Sequence, residues 1–152
     1  MKGIPEGSSV VIPRLFCRDA AAEVEFCTAV LSASVLNRRP GTDGRLAHAL
    51  LTIGPAMVMI ESEWPQVANR APAADGSSPV VIFVYVEDVD NTVERAVAAG
   101  AKTLDPLTDQ FWGDRTAWIM DPGGHVWTVA SRIEETTDEE RRARYARILS
   151  QG

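Results

Sequence analysis

Apolar and polar positions along this chain follow two periods, and each change of period marks an element. Val10 to Cys17 is β-rich but broken by Pro13, which suits an edge strand or a bulge. From Asp19 the period lengthens: Val24, Cys27 and Leu31 recur at helical spacing, and Asp19 is placed to cap that helix. Ser32 to Asn37 reads as a short strand and Arg39 to Gly44 as a turn. Two strands follow, Arg45–Ile53 and Ala56–Ser62, joined through Gly54-Pro55. The pattern then repeats. Pro79 to Val86 is an almost unbroken apolar strand, and Asp88 caps a helix carrying Val89, Val93, Ala96 and Val97 that Gly100 ends. A short strand is predicted at Lys102–Leu104. Arg115–Met120 and His125–Ser131 flank the turn signal Asp121-Pro122-Gly123-Gly124.

Landmarks tie the halves together. Asp19, Gly44 and Gly54 recur 69 residues on as Asp88, Gly113 and Gly123. Residues 64–78, rich in Ala, Pro, Gly and Ser, read as a linker. Thr137 and Glu140 form a capping box that opens a terminal helix. The expected organisation is a tail at 1–9, a βαβββ module at 10–63, the linker, a second βαβββ module at 79–133 and a helix in 134–152.

At 152 residues the chain suits one domain or two closely packed halves. The formal net charge of −6 argues against nucleic acid or an anionic membrane surface as partner. Cys17 and Cys27 are too few for a disulfide framework and read as reduced core thiols. Met1 to Ser9 has no apolar signal core, and no apolar run nears the roughly 20 residues that cross a bilayer, so a cytoplasmic location is expected. Neither a phosphate loop, a dinucleotide fingerprint nor a nucleophile elbow occurs.

The duplicated order carries recognisable motifs. They are Arg18-Asp19-Ala20-Ala21, Gly44-Arg45 with His48, Tyr85 to Asp90, Asp109 to Arg115, and Asp121 to Trp127. In these the chain resembles the vicinal oxygen chelate superfamily of glyoxalase I, extradiol dioxygenases and bleomycin-resistance proteins, and within it the PhnB-like branch. The resemblance implies an α+β fold of paired βαβββ modules, with curved mixed sheets around a cavity and helices on the other sheet faces. It also implies a homodimer and a small-molecule ligand.

Strand alternation assigns side chains to that cavity. Val80, Ile82, Val84 and Val86 form an aliphatic face suited to helices, leaving Val81, Phe83 and Tyr85 opposite. By the same parity Arg14 and Phe16, Met57, Met59 and Glu61, and Thr128 point to the cavity. Continuing the 69-residue offset pairs His48 with Ala117, so Trp118 is expected on the other face. Trp64, Phe111, Trp112 and Arg115 are further ligand candidates. A loop of aromatic rings and a guanidinium either closes a pocket mouth or covers the core edge.

The resemblance places metal ligands at Ile12, Glu61, Val81 and Thr128, and only Glu61 is a ligand of the required kind. No metal and no cofactor are therefore expected, with His48 and Glu61 as the remaining weak metal candidates. Glu61 has three readings: an ion pair with Arg14, a general base, or an anchor for a cationic ligand. His48 is either a satisfied core residue or a cavity group. The expected function is metal-free sequestration of a planar or cationic small molecule. The alternatives are a divalent-metal lyase or dioxygenase-like enzyme, and a metal-free isomerase or cyclase with Glu61 as base.

Overall fold

A computed structural model describes residues 2–152. The first module consists of β1 (Arg14–Cys17), α1 (Ala20–Leu31), β2 (Ser34–Pro40), β3 (Leu46–Ile53) and β4 (Ala56–Ser62). The second repeats the order as β5 (Val81–Tyr85), α2 (Val89–Ala98), β6 (Lys102–Asp109), β7 (Asp114–Met120) and β8 (Val126–Arg132), and α3 (Asp138–Gln151) ends the chain. Each module folds as one mixed four-stranded sheet, ordered β1-β4-β3-β2 and β5-β8-β7-β6. The first and last strands of each order pair parallel and antiparallel respectively with their neighbours, as a βαβββ chain requires. No helix among the described residues is long and apolar enough to cross a membrane.

The caps hold as the sequence predicts. Asp19 accepts from Ala22 N–H, Asp88 from Asn91 N–H, and Thr137 with Glu140 closes the reciprocal box at α3. Three strand boundaries differ from expectation. β1 starts at Arg14, leaving Val10 and Val11 exposed ahead of Pro13, whose carbonyl accepts from Met59 N–H at 2.9 Å. β2 runs to Pro40 and β6 to Asp109 through Pro106. Both are edge strands, where proline costs no ladder partner on the outer side.

Each sheet buries one face against its helix, and the two helix layers merge. Leu15, Ala49, Leu51, Val58 and Ile60 join Ala117, Ile119, Trp127 and Val129 in one core with Val24, Cys27, Val89 and Ala96 of α1 and α2. The modules meet through α1 and α2, and the backbones of the two sheets stay beyond strand-pairing distance of each other. The second face of each sheet reaches solvent, through Arg14 and Arg39 on the first and Phe83, Tyr85 and Trp118 on the second.

The joint between modules also contains a buried polar knot. The β7–β8 loop of the second module reaches α1 and β1 of the first. His125 Nε2 lies 3.0 Å from Phe16 O, and Asp121 accepts from Trp127 Nε1 at 2.7 Å and from His125 N–H at 2.9 Å. Glu23 of α1 enters this knot so closely that a Cβ on Gly123 would meet its Oε2 at 2.5 Å and displace the carboxyl from the knot. Glu23 and Asp121 are both 2% exposed. Burial, and then the Asp121 charge and hydrogen bond, push the Glu23 carboxyl up to about 10. Glu23 therefore carries its proton and shares it with Asp121. Burial likewise raises the Cys17 and Cys27 thiols and lowers the His125 imidazole, so all three stay neutral.

This knot fixes a pH dependence. Below the ordinary carboxyl value of 4.5, Glu23 is protonated in both the folded and the unfolded chain. Between there and about 10 only the folded chain holds the proton, so its contribution to stability declines as pH rises. Glu23→Gln, a neutral donor of similar shape, should flatten that decline in urea melts taken from pH 5 to 9. An unchanged profile in the variant would show that Glu23 is not the group responsible.

Candidate functional site

The open face of the first sheet is built from cross-strand rows. Register places Phe16, Glu61, His48 and Arg39 side by side across β1, β4, β3 and β2, and Arg14, Met59, Leu50 and Asn37 in the next row. Arg14 Nη2 donates to Glu61 Oε1 at 3.2 Å, and its guanidinium lies 5.6 Å from the Phe16 ring centre. His48 Nδ1 lies 2.9 Å from the same carboxylate oxygen. Glu61 and His48 are buried, whereas Arg14 and Arg39 are exposed at the rim. Glu61 thus takes the ion-pair arrangement with Arg14 and in addition orients His48. Its negative charge is already opposed inside the protein.

The open face of the second sheet is a shallow aromatic trough. Phe83, Thr128 and Trp118 form one row, and Tyr85, Ala130 and Thr116 the next. The small side chains Thr116, Thr128 and Ala130 are buried as the floor, while Phe83, Tyr85 and Trp118 are 48%, 56% and 41% exposed as walls. The Phe83 and Tyr85 rings lie 5.2 Å apart, tilted by 59°. Trp118 corrects the expectation that it faces away. The register pairs Ala49 with Ile60 but Ala117 with Val129, so the third strands correspond at an offset of 68, one residue short of the landmarks. That slip turns Trp118 onto the open face and makes Thr116, not Ala117, the counterpart of His48.

Asp114 holds the trough's end together, and sequence reasoning passed over it. Fully buried, its Oδ2 accepts from Tyr85 OH at 2.8 Å and from Trp112 Nε1 at 2.7 Å. Arg132 Nε sits 2.8 Å from Oδ1, off the hydrogen-bonding axis, so that oxygen is neutralised by charge without a proper hydrogen bond. With their polar tips committed to Asp114, Tyr85 and Trp112 offer ring surface. Gly113 beside it has φ of +95°, and a Cβ there would meet Glu134 O at 2.2 Å, so only glycine permits the turn that delivers Asp114.

The remaining candidates lie elsewhere. Arg115 faces the helix side, where its guanidinium binds both Asp90 oxygens and Asp109 at 2.8–3.0 Å; these bonds raise its pKa and lower that of Asp90. Phe111 meets Trp112 edge-on and lies 5.2 Å from Tyr145 of α3, tying the loop to the terminal helix. Trp64, beyond β4, lines a separate cavity of about 470 Å³ with Arg18 and Arg45. The first sheet therefore gathers Arg14, Phe16, His48, Met59 and Glu61, and the second gathers Phe83, Tyr85 and Thr128 with Trp112 at its end. Asp114, Trp118 and Arg39 are the additions that register reveals.

The donor set does not suit a divalent ion. Of the positions implied by the resemblance, Ile12 and Val81 end in hydrocarbon, Thr128 has a neutral hydroxyl, and Glu61 is held by Arg14 and His48. Among the described residues no three His, Cys, Asp or Glu side chains converge as metal ligands would.

Comparisons with known proteins agree with this architecture. Residues 9–129 match the family model described as Glyoxalase/Bleomycin resistance protein/Dioxygenase superfamily. The uncharacterized protein Rv0887c of Mycobacterium tuberculosis is 38% identical over 134 residues, covering 86% of this chain and 79% of that one. TioX of Micromonospora superposes with a TM-score of 0.64 at 29% identity, covering 82% of this chain and 99% of that one. A PhnB protein of Bacillus cereus shares the fold with a TM-score of 0.63 at 16% identity, over 81% of this chain and 99% of that one.

The role of Asp114 can be checked directly. Asp114→Ala strands two donors and the Arg132 charge, and should cost about 2–4 kcal/mol in urea unfolding. Folded Asp114→Ala should also show altered tryptophan emission as Trp112 loses its acceptor. Unchanged stability and emission would show that the walls stand without it.

Proposed function

The chain belongs to the glyoxalase/bleomycin resistance protein/dioxygenase superfamily, and from that premise we propose that it binds and sequesters a small planar molecule. The ligand lies between the first sheet of one copy and the second sheet of another. The observation that carries this reading is the pair of open faces within one chain. One has a polar floor with exposed arginines at its rim, and the other has aromatic walls that stand exposed in the single chain. A trough walled by Phe83, Tyr85 and Trp118 above small floor residues fits a flat ring system, since offset ring contacts add to apolar burial. The exposed edge strands and the unpaired faces give the same surface a reason to associate with a second copy. A cation gains little from Glu61, because Arg14 already opposes that carboxylate.

Trp118 and Trp112 stand at the trough and report on it. A panel of neutral and charged polycyclic aromatic compounds should include members that quench tryptophan emission saturably. Phe83→Ala should weaken those members by about 3- to 10-fold, the value of one ring contact. Absence of saturable quenching across the panel, or affinity untouched in Phe83→Ala, would contradict the proposal.

A further inference from the structure

Beyond the strand ends of the first sheet, opposite charges line one cavity without neutralising each other. β1 runs out into Arg18, β4 into Glu63 and Trp64, and the connection from β2 to β3 carries Asp43 and Arg45. All five border an open cavity of about 470 Å³. None of the residues gathered on either open face lines it. Backbone groups hold each charged side chain. Arg18 Nη2 donates to Pro72 O at 2.9 Å, and Arg45 Nη2 lies 3.5 Å from Arg18 O, which brings its guanidinium to the end of β1. Asp43 Oδ1 accepts from Arg45 N–H at 3.0 Å, and Glu63 Oε1 from Ala71 N–H at 2.8 Å. The four groups enter none of the ion pairs among the described residues. Each guanidinium therefore keeps most of its five donors, and each carboxylate keeps its second oxygen. The wall is braced as well. Arg70 Nη1 donates to the carbonyls of Trp64, Val67 and Asn69, and the turn so held leaves Trp64 42% exposed.

Two fixed cations and two fixed anions give the lining no net formal charge, so the cavity suits a ligand that is neutral overall and charged locally. We propose that it binds small zwitterions of the aromatic amino-acid class. The carboxylate is met by the guanidinium groups of Arg18 and Arg45, the ammonium by Glu63 and Asp43, and the ring by Trp64. A guanidinium matches a carboxylate through parallel N–H donors, whereas a compact ammonium needs point acceptors such as the free carboxylate oxygens. A polyanion would be repelled by the two acids, and a polyamine by the two arginines. The volume is that of a small-molecule pocket, and an indole at its edge adds ring contact and an attraction for the ammonium. This site stands independently of the aromatic trough and of the reading of the open faces.

Three probes with the same phenyl group separate the contributions. L-Phenylalanine has both charges, 3-phenylpropanoate lacks the ammonium, and phenethylamine lacks the carboxylate. The readout is the indole N–H signal of each of the four tryptophans in heteronuclear NMR spectra, assigned by single Trp→Phe changes. L-Phenylalanine should shift the Trp64 signal saturably and bind about threefold to tenfold tighter than either analogue. Arg45→Gln should weaken L-phenylalanine and 3-phenylpropanoate and leave phenethylamine unchanged. Glu63→Gln retains an acceptor for Ala71 N–H, and should weaken L-phenylalanine and phenethylamine while leaving 3-phenylpropanoate unchanged. Equal affinity for all three probes, or no Trp64 shift up to the solubility limit of L-phenylalanine, overturns the inference. Shifts confined to Trp112 and Trp118 overturn it too, and leave the ring-binding reading of the trough standing.

Discussion

A β-sheet has two faces, and this chain has helix enough to cover only one face of each sheet. That shortage governs the rest of the molecule. α1 and α2 merge their layers into a single core with Trp127, Ile60 and Val129, and by doing so they hold the sheets side by side. The uncovered faces carry the residues whose chemistry exceeds what packing needs: an oriented carboxylate–imidazole pair on one, a ring-walled trough on the other. In β5 the aliphatic Ile82 and Val84 lie on the helix side, beside the exposed Phe83 and Tyr85 of the open face.

Holding the open faces in place demands a stiff joint, and the buried knot supplies it. Glu23, Asp121, His125 and Trp127 come from both modules, and their hydrogen bonds have directions that apolar packing lacks. The proton on Glu23 removes the charge repulsion that two buried carboxylates would otherwise suffer. At the far end of the second sheet Asp114 does comparable work with opposite chemistry. It stays with a cation and two neutral donors, and it fixes ring orientation instead of joining modules. Both devices spend polar groups to set geometry.

The sequence disclosed what depends on local rules. The caps at Asp19, Asp88 and Thr137, the alternation in β5 and the duplicated βαβββ order all follow from spacing within a few residues. What it concealed depends on distant pairings. Trp118 changes face because register is summed across strand and loop lengths, and the loop from Asp121 to His125 differs from the tight Gly54-Pro55 turn. Arg39 reads as part of a turn beside Pro40-Gly41, yet an edge strand accommodates that proline and carries Arg39 opposite His48. Asp114 gives no sign of its burial, since its partners arrive from β5, β8 and a preceding loop. Arg115 shows the converse: a guanidinium next to aromatic residues suggests a ligand contact, and Asp90 of α2 and Asp109 of β6 engage it instead.

If the open faces of two copies meet, the assembly state must depend on the side chains that line them. Sedimentation equilibrium on the wild type beside Phe83→Glu and Trp118→Glu, both exposed positions that a charge can occupy without disturbing the core, tests this most directly. The account predicts a wild-type dimer that either substitution dissociates to a folded monomer. A wild-type monomer at high concentration, or a dimer indifferent to both charges, would contradict it.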